Sequence, residues 1–111
     1  MVQVVSNLGI YDGEASALRQ SNWKDSKVLA AGVATTFQAP TLAKYVLFSA
    51  NGDFYCQINE TSVAATVPVA STTDGTASEL NPAMRQLPIN QAYISLIAAV
   101  DTIVTAMFYR Q

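Results

Sequence analysis

The stretch AKYVLFSANGDFYCQIN, Ala43 to Asn59, decides how this chain is read. Two β-rich runs flank Asn51-Gly52. Asn and Gly tolerate positive φ, which a type I′ turn requires at both central positions, so the pair is the strongest short-range sign of a hairpin. A two-residue loop would set Ala50 opposite Asp53, Phe48 opposite Tyr55 and Val46 opposite Gln57. Alternation then sorts the side chains into two faces. Tyr45, Leu47, Phe54, Cys56 and Ile58 form the expected core face. Lys44, Val46, Phe48, Tyr55 and Gln57 form the other, wet at the Lys44–Gln57 end and covered at the end with Val46, Phe48 and Tyr55. A sheet with one solvated face should alternate more cleanly. The expected cover is the N-terminal segment or another subunit.

Further strands follow in both directions. Tyr93 to Ala98 and Thr102 to Tyr109 read as two strands joined through Ala99-Val100-Asp101. In the last, Ile103, Thr105, Met107 and Tyr109 share one face, and Thr102, Val104, Ala106 and Phe108 the other. Both faces are largely apolar, as suits a central strand covered on two sides. A helix is the competing reading of the Ala-rich part, and the β-branched content argues against it. Val33–Gln38, Val63–Val67, Val2–Val5 and Val28–Ala31 add candidate strands. Met84–Ile89 reads as a short edge strand, because Pro88 cannot donate to a ladder. About eight short strands and no clear helix predict an all-β chain, a small antiparallel β-sandwich of jelly-roll type.

The first residues differ. They are more polar, hold six of the 14 charged residues, and scatter Tyr11, Leu18 and Trp23 without a period. Glu14 to Gln20 could form one or two helical turns. Residues 1–31 are therefore expected to be an irregular arm, and residues 32–111 the sandwich.

Composition narrows the function. Of 111 residues, 50% are hydrophobic and only 13% charged, against about 25% charged in ordinary domains. No run approaches the roughly 20 apolar residues of a spanning helix, and no secretory signal is recognisable. A surface covered by protein partners is the favoured explanation, with a chance-poor surface the alternative. Six Lys and Arg residues are scattered through a chain of net charge −2, so neither nucleic acid nor a membrane is an expected partner. Cys56 is the lone cysteine, in an apolar run where a buried, inert thiol is expected.

Catalytic parts are missing. The sequence has no His, which removes Ser-His and Cys-His pairs and the commonest metal ligand. One Cys cannot make a zinc site of the usual kind, and no glycine-rich phosphate loop is present. Asp74 and Glu79, with Asp53, Glu60 and Asp101 elsewhere, leave paired carboxylates open. DGTASE lacks the alternating oxygen ligands of a calcium loop. The expectation is no enzyme, no cofactor, no metal and no small-molecule substrate. DGTASELNPAMRQL, Asp74 to Leu87, then reads as an ordered connector, with a loop that docks on a partner as the sharper alternative. Tyr11 and Trp23 are candidate interface anchors, as are Val46, Phe48 and Tyr55. Asp74, Glu79, Asn81 and Arg85 are the candidates on the loop.

Taken together, VLFSANGDFYCQI, VPVASTTDGTASELNPAMRQL and YISLIAAVDTIVTAMFYR resemble a group of small tailed-bacteriophage virion structural proteins, of the head decoration or cement type. The shared pattern falls on Asn51–Tyr55, Asp74–Pro82, Met84–Leu87 and a final hairpin over Ile94–Tyr109. It covers roughly the last two thirds of the chain and not the first 30 residues. The resemblance implies a homotrimeric β-domain on the capsid exterior, assembled in the bacterial host cytoplasm. Its partners would be the major capsid protein and copies of itself. It assigns no catalytic residues. A receptor- or glycan-binding fibre or tail module, and a neck or tail ring component, are the alternatives.

Overall fold

A computed structural model describes residues 20–110. Within them lie eight strands: β1 (Trp23–Leu29), β2 (Thr35–Gln38), β3 (Tyr45–Ala50), β4 (Tyr55–Asn59), β5 (Glu79–Leu80), β6 (Met84–Gln86), β7 (Tyr93–Ile97) and β8 (Thr102–Tyr109). They form two four-stranded antiparallel sheets, ordered β1-β8-β3-β6 (sheet A) and β2-β7-β4-β5 (sheet B). The pairings are nested: β1 with β8, β2 with β7, β3 with β6, β4 with β5. That is one long hairpin rolled on itself, and rolling adds the β3–β8 and β4–β7 ladders. The chain is an all-β sandwich with jelly-roll connectivity.

The Asn51-Gly52 hairpin does not form. β3 belongs to sheet A and β4 to sheet B, so the chain crosses between sheets at this point. Neither Asn51 nor Gly52 takes the positive φ of a type I′ turn. Asn51 instead extends the β3–β8 ladder. Its N–H donates to the Ile103 carbonyl at 3.2 Å, and its Oδ1 accepts from Ile103 N–H at 2.9 Å. A Cβ on Gly52 would sit 3.2 Å from Thr102 Oγ1, so glycine serves a close backbone approach.

This crossing also corrects the faces. A two-residue hairpin would put Phe48 on the side opposite Phe54. In the sandwich each points inward from its own sheet, and their rings meet at 5.6 Å between centroids, tilted by 57°. Val46 and Phe48 therefore belong to the core, with Leu29, Cys56, Ile94, Leu96, Val104 and Phe108. Each such side chain contributes about 1.5–3 kcal/mol on burial. The core face expected for β4 is right at Phe54 and Cys56, and the one expected for β3 is inverted.

The last strand matches its expectation in bounds and in which residues share a face, with Thr102, Val104, Ala106 and Phe108 all buried. The face with Ile103, Thr105 and Met107, however, is the outer face of sheet A and is not covered by the other sheet, as a strand covered on two sides would be. It is central, between β1 and β3. β7 ends at Ile97, and it lies in the other sheet from β8, so these two form no hairpin. β2 starts at Thr35 rather than Val33. β6 is an edge strand as expected, ending at Gln86. Val63–Val67 is not a strand, and β5 was not anticipated. The strand expected at Val28–Ala31 starts earlier, at Trp23. Seven residues of the expected arm thus pair with β8 as part of the sandwich. Val2–Val5 and the helical turn over residues 14–19 lie outside the described residues.

Two contacts close the open sides of the sandwich. At the β1–β2 side, Lys27 Nζ sits 4.5 Å over the Phe37 ring. At the β6–β5 side, Arg85 pairs with Glu79, including a 3.0 Å bond from Nε to Oε1.

Candidate binding surface

The two outer faces are finished differently. On sheet B, Ser95 points outward from β7 yet is 1% exposed. Its Oγ accepts from Ala65 N–H at 2.8 Å and from Thr36 Oγ1 at 3.1 Å. Gln57 Nε2, on the same face of β4, donates to the Thr76 carbonyl at 2.8 Å. Ser78 Oγ accepts from Thr66 N–H at 3.0 Å. The β4–β5 connection, residues 60–78, therefore lies back across sheet B, with Ala65 only 2% exposed beneath it. Its backbone polar groups find side-chain partners, as burial demands.

Sheet A presents an apolar outer face. The registers align Lys24, Met107, Leu47 and Met84 in one row across all four strands. A second row holds Ser26, Thr105 and Ser49, and a third pairs Val28 with Ile103. Leu47, Met84 and Met107 are half-buried, while Val28 is 76% and Ile103 44% exposed. Two apolar clusters thus lie on the outer face, separated by the Ser26, Thr105 and Ser49 row, and exposed apolar clusters mark interaction sites more often than isolated exposed residues do.

Near the start of β1 a cleft of about 700 Å³ opens, lined among others by Ser21, Trp23, Pro40, Phe108 and Arg110. Trp23 stands at it 55% exposed, its Nε1 donating to Asp25 Oδ2 at 3.3 Å. Ser21 is buried and anchors the wall, with its hydroxyl donating to the Phe108 carbonyl.

The nine expected interface residues divide. Val46 and Phe48 are 0% and 7% exposed, inside the sandwich, and cannot touch a partner. Tyr55 is half-buried on the outer face of sheet B, between Ile97 and Leu80. Trp23 is exposed at the β1 edge. Glu79 and Arg85 sit together at the opposite side, where β5 and β6 close the sandwich. Asn81 holds a turn with φ 49°. Its Oδ1 accepts from Phe54 N–H at 2.9 Å and its Nδ2 donates to Asp53 at 2.8 Å. Asp74 Oδ1 accepts from Thr76 N–H at 3.2 Å and from Thr76 Oγ1 at 2.6 Å, an Asx turn completed by Gly75 at φ 86°. These hydrogen bonds hold the Asp74 carboxyl below its usual range. Tyr11 lies outside the described residues.

Sequence reading missed Leu47, Met84, Met107, Ile103 and Val28 as surface residues. Its signal was present in the alternation of β8, where one apolar face had to lie outside. The loop motifs it singled out act mainly as turn and junction chemistry.

Cys56 is buried, and burial with the nearby Glu79 charge pushes its thiol up to about 12, so it stays protonated at neutral pH. Among the described residues no group of three or more His, Cys, Asp or Glu side chains could hold a metal. No helix among them is long and apolar enough to cross a membrane. Compared with protein families, curated proteins and solved structures, the chain matches none.

Proposed function

We propose that this chain is a non-enzymatic structural subunit of a tailed-phage virion, a decoration or cement protein that binds the outer surface of the capsid. The observation that carries the reading is the outer face of sheet A, where Leu47, Met84, Met107, Ile103 and Val28 form an apolar surface on a chain poor in charge. Such a face gains by covering another protein. A subunit that binds only the assembled shell stabilises it by RT ln(1 + [L]/Kd) per site, and many sites add. The resemblance implies a homotrimer as the attached unit. The strand edges favour a two-fold contact, argued below.

A second reading is favoured by the cleft beside Trp23. A half-exposed indole with Arg110 and Asn22 nearby suits stacking against a sugar ring. In that case the chain would be a glycan-binding module of a fibre or tail.

Quantifying the chain against the major capsid protein in purified particles separates the two. Near one copy per capsid subunit, located on the head, supports cementing. A dozen copies or fewer sinks it. Particles lacking the protein should also fail at lower temperature than complete ones.

A further inference from the structure

We propose that β1 is a homodimer contact: two copies join antiparallel through their β1 edges about a two-fold axis at Ser26, continuing sheet A from one copy into the next. Strand edges offer unpaired N–H and C=O groups, and proteins blunt those they do not use. Three of the four edges here are too short to pair at length or run into proline. β5 has two residues and β6 three, with Pro82 and Pro88 flanking β6. β2 has four and runs into Ala39-Pro40. β1 has seven residues and no proline, and among the described residues its only strand partner is β8; its charges Lys24, Asp25 and Lys27 bar an arbitrary strand and admit only one of matching charge.

The sequence of β1, WKDSKVL, selects one register. A two-fold axis normal to a continuous sheet keeps inner faces inner, so only residues of the same parity can face each other. Centring on Asp25 sets two carboxylates opposite each other. Centring on Lys27 sets two ammonium groups opposite each other. Centring on Ser26 pairs Asp25 with Lys27 of the second copy twice over. It also places Trp23 against Leu29, Lys24 against Val28, and Ser26 against itself. This register overlaps the whole strand, forms two complementary charge pairs and covers Trp23 and Val28, which are 55% and 76% exposed. Opposite charges across an antiparallel pair are favourable and like charges are not.

The test is sedimentation equilibrium of the full chain. The expected result is a reversible species of twice the 11.9 kDa chain mass. Asp25→Lys makes all four facing side chains at the seam cationic, and Lys27→Asp makes all four anionic. Each should weaken self-association at least about tenfold, and mixing the two should restore it as a heterodimer. Circular dichroism checks folding, because Lys27 also covers Phe37. Ser26→Cys gives a measurement independent of that contact. Two such residues on the axis should oxidise to an interchain disulfide, while Ser49→Cys, on β3 of the same face, should not. A monomer at every concentration, a trimer, a dimer indifferent to both reversals, or no selective cross-link at position 26 would overturn the proposal.

Discussion

The outer faces of the two sheets solve one problem in opposite ways. Sheet B turns Thr36, Ser95 and Gln57 outward, and the chain's own residues 60–78 lie over them, tied by Ser95 and Ser78 hydroxyls. Sheet A turns Leu47, Met84 and Met107 outward. Polar groups beneath a loop satisfy the loop's backbone. Apolar groups there would have left Ala65 N–H without a partner. The polar face thus suits an internal cover, and the apolar face suits one that brings its own side chains. The difference teaches that outward-facing polarity does not mark the free surface of this molecule.

The largest effect should come from the layer both faces share. Phe48→Ala removes a ring that meets Phe54 across the sheets, and should cost about 3–5 kcal/mol in urea unfolding. Its neighbour Leu47→Ala, on the outer side of the same strand, should cost under about 1 kcal/mol. Similar losses at both positions would break the assignment of inner and outer faces. Next comes the cover of sheet B. Ser95→Ala leaves Ala65 N–H without its acceptor, at a cost of about 1–3 kcal/mol. Hydrogen exchange at Ala65 and Thr66 should rise more than in β8. Uniform exchange would mean that residues 60–78 are not held by this bond.

Sheet A should answer differently. Leu47→Ser with Met107→Ser should shift stability by no more than about 1 kcal/mol, since both lie on the surface side. The same pair should abolish attachment to capsids, measured by co-sedimentation with shells lacking the protein. Attachment at unchanged affinity would remove this face from the proposed function.

The legible and illegible parts of the fold separate along these lines. β8 could be read to its end residues because eight alternating positions repeat one pattern. A jelly roll followed from many short strands with no helix. What misled was Asn51-Gly52, where local turn chemistry and tertiary crossing predict opposite parity for β3. The uneven face of the expected hairpin, with Val46, Phe48 and Tyr55 among polar residues, was the trace of that conflict. β5 was invisible because two residues hold no period. Residues 63–67 resemble a strand because of Val63, Thr66 and Val67, yet the Ala65 and Thr66 N–H groups go to the Ser95 and Ser78 hydroxyls rather than to a ladder. The candidate surface was half legible. Loop residues such as Asp74 and Asn81 stood out by type, and type served turns. Leu47 and Met107 did not stand out, because an apolar residue in a strand reads as core until the sheet partner is known.

The smallest effect lies at the tip of the covering loop. Folding lowers the Asp74 carboxyl through its bonds from Thr76. A carboxyl lowered in this way stabilises the fold at pH above its unfolded value, and that contribution disappears as pH falls through the folded value. Protection of Thr76 N–H relative to its intrinsic exchange rate should therefore fall in the acid range below the ordinary carboxylate pKa, while protection of Ser95 and Ala65 holds unchanged. Asp74→Asn keeps an acceptor oxygen for the turn and removes the titration, so its Thr76 protection should be flat across the same range. A pH-dependent Asn variant would move the cause to another carboxyl. A flat native profile would mean that the turn is held by Gly75 and its backbone, and that the loop covers sheet B without help from charge.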